Sequence, residues 1–224
     1  MFLVVKINLG SSTLILTPEG AAFFPKSATL VLSDVHLGKA ATFRASGIPI
    51  PEGDDQHDLA RISHLVADWK AKHLVIAGDL FHARSGASDT LIQSMAEWLE
   101  ILDVPVTLVL GNHDLPLRRR CAVLPMEICE STEVEGVEVI HDPADASDSH
   151  PALCGHIHPV VKLAAPRQPT IRLACFHLTQ QILTLPAFGS FTGGREVKPM
   201  KQDRIFLTHK GKVIEYPWAH GESM

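Results

Sequence analysis

The chain has 224 residues, 46% hydrophobic, 20% charged and 6% aromatic, with a formal net charge of −5. That is length for one large domain or two small ones, with apolar material for a sizeable core, which excludes an intrinsically disordered chain. The acidic balance speaks against holding long nucleic acid by bulk charge, no apolar run reaches membrane-spanning length, and four cysteines (Cys121, Cys129, Cys154, Cys175) without a Cys-x-x-Cys pair speak against zinc ribbons and thioredoxin chemistry.

Residues 2–9 alternate, with Leu3, Val5, Ile7 and Leu9 on one side, which predicts a half-buried strand. Residues 13–17 are its partner across the Gly10-Ser11-Ser12 turn, and 21–24 add a third strand. Residues 28–33 are almost continuously apolar, as a strand buried on both faces reads, and end in Asp34-Val35-His36-Leu37-Gly38-Lys39. Gly47, Pro49, Pro51 and Gly53 make residues 40–53 a loop. A helix follows. Asp54 and Asp55 suit its positive N-terminus, and Leu59, Ile62, Leu65, Val66 and Trp69 recur at helical spacing. Residues 73–77 are the next buried strand, ending in Gly78-Asp79. Beyond a loop with His82, Arg84 and Gly86, Ser88 caps a second helix whose apolar face is Leu91, Ile92, Met95, Trp98, Leu99 and Leu102. Residues 104–110 form another buried strand that stops at Gly111 and is followed at once by Asn112, His113 and Asp114. No third helix is clear. The second half is strand-rich: 137–141, ending in His141; 152–155, leading into His156-Ile157-His158; then 170–176, 182–185, 205–208 and 213–216. Residues 142–151 and 195–203 read as mobile polar loops. No repeat or linker divides the chain, so residues 1–224 read as one domain. The first residues carry no basic lead-in and no cleavage site, and the expectation is a cytoplasmic protein with reduced thiols.

The first half repeats strand, polar turn, helix, which is an α/β pattern whose ligands gather beyond the C-terminal ends of the strands. Asp34, His36, Asp79, Asn112 and His113 fall at such ends, on one edge of one sheet. With His141, His156 and His158 they form a carboxylate–imidazole set that suits divalent manganese, iron or zinc and lacks the thiolates of softer sites. Asp-x-His and His-x-His, if extended, set both members of each pair on the same side. Thirteen histidines are many for this length. His57, His64 and His73 read as surface or core residues. His82 lies near enough to help position metal or phosphate, and Asp114 reads as a partner that orients a ligand or His113. Lys39, Arg44 and Arg84 follow two of the polar turns, and Arg118, Arg119 and Arg120 follow the third. They suit phosphate contacts, and equally a solvated charged face. Aromatic residues are too few for an extended base-stacking platform. Residues 188–194 read as a loop near the cleft or as a structural turn.

Asp34-x-His36, Gly78-Asp79, Gly111-Asn112-His113-Asp114, an isolated His141 and Gly155-His156-x-His158 occur in the order found in the calcineurin-like binuclear metallophosphoesterases, which this chain resembles over residues 28–160. The resemblance implies an α/β (α+β) fold, a four-layer αββα sandwich of two mixed β-sheets flanked by helices. It implies two divalent metal ions, Mn2+ in the first place with Fe2+ or Zn2+ as alternatives. Asp34, His36 and His158 would hold one, Asn112, His141 and His156 the other, and Asp79 both, with His113 as the proton or hydrogen-bond donor beside the phosphate. The motif departs from the family in one place: Asp142-Pro143 follow His141, where many members have a His-Gly pair. With two dications, Asp34, Asp79 and an activated hydroxide leave one positive charge, matched to one anionic phosphodiester.

Residues 34–51, 78–84 and 185–194 are further similar to the bacterial PdeM group of ligase-associated DNA-damage-response endonucleases. That likeness implies a manganese-dependent phosphodiesterase and single-strand DNA endonuclease in DNA repair. Its partners would be single-stranded DNA or another phosphodiester, a functional association with a DNA ligase, a helicase and an exonuclease-like protein, and a second copy in a homodimer. Two other readings stand beside it: a diesterase or phosphatase of small nucleotides, and a non-catalytic scaffold, against which His113 and the full ligand set speak.

Overall fold

The computed structural model describes residues 3–49, 54–163 and 169–217. Residue 2 of the first predicted strand and residues 50–53 of the predicted loop lie outside the described residues.

Two mixed sheets with flanking helices form the structure. The first holds β1 (Val5–Leu9), β2 (Ser12–Leu16), β3 (Ala22–Phe24), β4 (Thr29–Leu32), β5 (His73–Ala77), β6 (Val106–Val109) and β7 (Glu127–Cys129), in that spatial order. Pairing is antiparallel from β1 to β4 and parallel from β4 to β7. The helices are α1 (Lys39–Ala45), α2 (Asp54–Trp69), α3 (Asp89–Leu102) and the single turn α4 (Arg118–Cys121). Side chains alternate across a strand, and here both faces are buried. Leu30, Leu32, Leu74, Ile76, Val106 and Leu108 meet Ile62, Leu65, Met95 and Leu99 of α2 and α3. Val31, Val75, Ala77 and Val109 point the other way, into a core shared with Leu153, Phe176, Leu183 and Phe206 of the second sheet. Each such burial is worth about 1.5–3 kcal/mol, which is why β4, β5 and β6 read as unbroken apolar runs.

The second sheet holds β8 (Thr132–Val134), β9 (Val137–Val139), β10 (Ala152–Cys154), β11 (Pro159–Leu163), β12 (Ile171–Leu178), β13 (Ile182–Thr184), β14 (Arg195–Glu196), β15 (Arg204–His209) and β16 (Lys212–Tyr216). Its order is β14-β11-β12-β13-β10-β9-β8, with β15 paired to β12 and β16. On its outer face Val161, Cys175, Ile205 and Leu207 cluster, and no helix residue joins them among the described residues.

Some elements differ from expectation. Residues 39–45, inside the predicted loop, are helix α1, whose Thr42 hydroxyl donates back to Gly38 O at 3.1 Å. Gly47 and the prolines beyond dominated that window. The unclear third helix is a 3-10 turn, Leu115–Leu117, continued by α4, too short to show a period of 3.6. Strands β7, β8 and β14 have three residues or fewer, below what alternation can register, and β11 opens on Pro159. The predicted loops are not structureless: β14 opens the one at 195–203, and a 3-10 turn, Pro143–Asp145, capped by Asp142 accepting from Ala144 N, lies in the one at 142–151. The cap predicted at Ser88 is present, accepting from Leu91 N at 3.1 Å.

Candidate metal centre

Parallel strands β4, β5 and β6 end together, and their backbones stay bonded past the ends. Asp34 N donates to Gly78 O at 3.0 Å, and His36 N to Asp79 O at 2.9 Å. Across the cleft Gly155 N donates to His141 O at 3.1 Å, tying the turn after β10 to the one after β9. The histidine and aspartate pairs are not extended as their alternation suggested. Asp34, His36, Asp79, His156 and His158 all have left-handed φ, between 48° and 67°. That costs of order 1 kcal/mol or more at a residue with a Cβ, and such strain gathers where side chains are re-aimed for function.

The predicted ligands form two groups of donors, and His36, His82 and His113 form a third among the described residues. Asp34, His36 and His158 bring ligand atoms within 4.8 Å of one another, and so do Asp79, His141 and His156. Asn112 joins the second group: its Oδ1 is 3.1 Å from His141 Nε2 and 3.0 Å from His156 Nδ1. Asp79 reaches both, 3.9 Å from His36 Nε2 and 3.5 Å from His141 Nε2. The tautomers follow from the other ring nitrogens. His141 Nδ1 faces the Ala77 carbonyl at 3.0 Å and His158 Nδ1 the Gly193 carbonyl at 3.1 Å. A carbonyl only accepts, so both Nδ1 atoms carry hydrogen and both Nε2 atoms face inward, where each can give a lone pair to a cation or hold a second proton in its place. There His158 Nε2 meets Asp34 Oδ1 at 3.0 Å and His36 Nε2 at 3.3 Å. Acceptors that converge on acceptors need a cation or a proton between them. The residues thus fit a pair of divalent ions held by oxygen and nitrogen, with His141 and His158 steadied from behind as metal-binding imidazoles are, while the buried His36 Nδ1 has no hydrogen-bond partner.

Titration points the same way. Burial pushes the His36 pKa down to about 3, past the opposing charges of Asp79 and Asp34, so His36 is neutral. Burial would also lower His141, but the hydrogen bond and charge of Asp79, with Asp34, raise it to about 9. Burial pushes Asp79 up, yet His141 and the His113 N–H hold it below its usual value.

Asp114, fully buried, accepts from Leu80 N, Phe81 N and Gly111 N at 3.2, 3.0 and 3.1 Å. It clamps the turn of Asp79 to the turn of Asn112 and His113 instead of touching the His113 ring. Burial lifts its pKa to about 6, against those three N–H donors. His113 N donates to Asp79 Oδ1 at 2.9 Å, and its ring Nδ1 is bonded to the His82 carbonyl. The His82 ring stacks on the His113 ring at 5.3 Å between centroids and meets His36 at 5.4 Å.

The motif glycines form the floor under the ligands. A Cβ at Gly78 would fall under 3.0 Å from His141, at Gly111 from Asp79 and at Gly155 from Asp34. Asp142, which breaks the family pattern, stands 3.7 Å from His156 Nε2 and backs that ring.

The basic residues divide. Lys39 lines one side of the cleft with His156, His158 and Arg195. Arg195 escaped the sequence reading because it lies far down the chain, in a stretch with no motif. Arg84, Arg118, Arg119 and Arg120 share a groove of 700 Å³ with Leu115, Pro116 and Leu117. Arg118 pairs with Glu130 at 3.2 Å, and Arg120 bonds Ala87 O and Asp89. Arg44 is not brought to the site: five residues past Lys39, it takes another face of α1 and lines a pocket with Asp55 and Gln56.

A family model described as calcineurin-like phosphoesterase matches residues 28–218. Among solved structures, Pseudomonas putida nuclease MPE is 32% identical, with 92% of this chain and 96% of that one covered at a TM-score of 0.77. Yfce, a phosphoesterase from E. coli, is 17% identical over 80% of this chain and 86% of its own, at a TM-score of 0.41. No curated protein sequence matches.

Proposed function

Because this chain belongs to the calcineurin-like phosphoesterase family and is a hydrolase of phosphoester bonds, we propose that it is a manganese-dependent phosphodiesterase that cuts single-stranded DNA in DNA repair. The observation that carries the polymer reading is the groove lined by Arg84, Arg118, Arg119 and Arg120. Its lining continues in the chain from the two turns that hold His113: Arg84 comes two residues after His82, and residues 115–120 follow Asp114. A small nucleotide needs no cationic surface beyond the reacting phosphate, whereas a chain of phosphates does. The likeness to a P. putida nuclease supports the same reading.

Asp34, His36, His158 and Asp79 would hold one ion, and Asp79, Asn112, His141 and His156 the other. When bound, the pair supplies Lewis-acid polarisation of the phosphoryl oxygens and a water acidic enough to serve as nucleophile near neutral pH. Carboxylate, amide and imidazole donors suit divalent manganese, iron or zinc, and manganese is put first because the likeness to the PdeM group implies it. The chain's own contribution is placement and protons. Asn112 adds a donor atom without charge, so the site keeps a positive balance for an anionic diester. His113 has its Nδ1–H committed to the His82 carbonyl, which leaves Nε2 for the substrate. To donate a proton or a hydrogen bond there, His113 must be doubly protonated. Lys39 and Arg195 line the cleft beside His156 and His158 and suit the non-bridging phosphate oxygens. The reading of reduced thiols extends the proposal to the cytoplasm, and the resemblance extends it to a homodimer and to work beside a DNA ligase, a helicase and an exonuclease-like protein. Among the described residues no helix is long and apolar enough to cross a membrane.

The test is circular single-stranded DNA with manganese. Opening of the circles is the expected result. Circles that stay intact while bis-p-nitrophenyl phosphate is hydrolysed would place the protein among small-diester phosphoesterases.

A further inference from the structure

We propose that Phe43 and Phe191 stack a nucleobase next to the scissile phosphate, which makes them specificity residues for nucleoside diesters; the proposal rests on the phosphodiesterase reading above. The aromatic content of the sequence gave no sign of such a platform, because the two rings come from distant segments. They meet edge to face, 5.8 Å between centroids at 80°. Phe43 also stacks on His82 at 6.2 Å and 25°, and His82 stacks on His113 at 5.3 Å and 19°. Three nearly parallel rings thus lead from the candidate proton donor outward to Phe43, and Phe191 closes the side.

Helix α1 sets the spacing. Lys39 lines the cleft beside His156 and His158. Phe43 follows four residues later, on the same face and about one 5.4 Å turn away. A cation and an aromatic ring one turn apart match the phosphate and base of one nucleotide, with charge for the first and a π-face for the second.

Single exposed apolar side chains are ordinary on protein surfaces. Phe191 differs because it is 44% exposed on a loop that is pinned on both sides. Gly189 N donates to Asp34 O at 3.1 Å, Ser190 N to the buried carboxylate of Asp58 at 2.9 Å, and Arg61 to Phe188 O at 3.0 Å. Thr192 Oγ1 closes the loop on Gly189 O at 2.6 Å. The same loop supplies the Gly193 carbonyl that fixes His158. A ring carried on a backbone held this firmly and left open to solvent offers a planar partner a fixed anchor, so little backbone entropy is lost on stacking.

The experiment compares diesters that share one leaving group. kcat/KM is measured for thymidine 5′- and 3′-p-nitrophenyl phosphate and divided by the value for methyl p-nitrophenyl phosphate. In Phe191→Ala the ratio for at least one thymidine ester should fall about 5- to 20-fold, the lower end of what one base–aromatic stack provides. Hydrolysis of the methyl ester should stay within about 2-fold of wild type, since Phe191 belongs to none of the donor groups and the methyl ester has no base to stack. Phe191→Trp should restore the ratio, and Phe191→Leu, apolar without a π-face, should not. An unchanged ratio in Phe191→Ala, full function in Phe191→Leu, or an equal loss on the methyl ester each overturns the proposal. The two readings fail separately. A ratio that falls while circular DNA stays intact upholds the stack and removes the polymer. Opened circles with an unchanged ratio do the reverse.

Discussion

Gly111→Ala tests whether the glycine floor sets the position of the shared carboxylate. Gly111 does not have a left-handed φ, so alanine meets no backbone penalty there. The obstacle is its methyl group, which would lie 2.9 Å from Asp79 Cγ and closer still to Asp79 Oδ1 and N. Uncrowded contact begins near 3.4 Å, and the backbone N cannot yield without shifting the turn after β5. Asp79 must therefore withdraw by several tenths of an ångström to about 1 Å, and overpacking of this kind costs about 1–3 kcal/mol. Asp79 also reaches both donor groups and accepts from His113 N. A displacement of about 1 Å at such a centre lowers the rate about 10²-fold. With metal saturating, kcat/KM for bis-p-nitrophenyl phosphate should fall by about that factor, and urea unfolding of the metal-free protein should lose about 1–3 kcal/mol. Gly136→Ala, in the turn between β8 and β9, is the control, because a Cβ there meets nothing within 4 Å and its cost is confined to the left-handed φ of 81°. Its activity should stay within about 2-fold of wild type. If Gly111→Ala keeps more than about a third of wild-type kcat/KM at full metal occupancy, the floor does not position Asp79 and the reasoning fails.

Asp79→Ala should abolish turnover of every substrate, since it removes the one carboxylate common to both donor groups; clear residual activity would exclude a shared role. His113→Ala should keep its metal, by elemental analysis, and slow cleavage about 10²–10⁴-fold, most for poor leaving groups. Loss of metal instead would make His113 a ligand. In the metal-free protein the folded His141 pKa, about 9, lies above its ordinary 6.5. The stability it contributes is therefore complete below about pH 6.5 and lost as pH rises through about 9, a fall of about 3 kcal/mol by pH 10. Asp79→Asn should flatten that slope in urea titrations of chelator-treated protein, and an unchanged slope would mean that Asp79 does not hold the proton.

The sequence by itself determined which residues could form the site. Donor identity is written in the chain, and strand ends are legible because strands buried on both faces read as apolar runs that break at Gly78 and Gly111. The apolar faces of α2 and α3 were legible for the same reason: each is a local period. Only the tertiary structure decided how those residues act. The left-handed φ at Asp34, His36, Asp79, His156 and His158 aims the side chains, and no local pattern records it. The carbonyls of Ala77, Gly193 and His82 choose which nitrogen each histidine turns inward, and each belongs to a distant segment. The same holds for Asp142 behind His156, Arg195 beside Lys39 and Phe191 against Phe43. Periodicity reports what a residue does among its neighbours in the chain. These contacts join residues that become neighbours only when the two sheets pack and the strands finish at one edge.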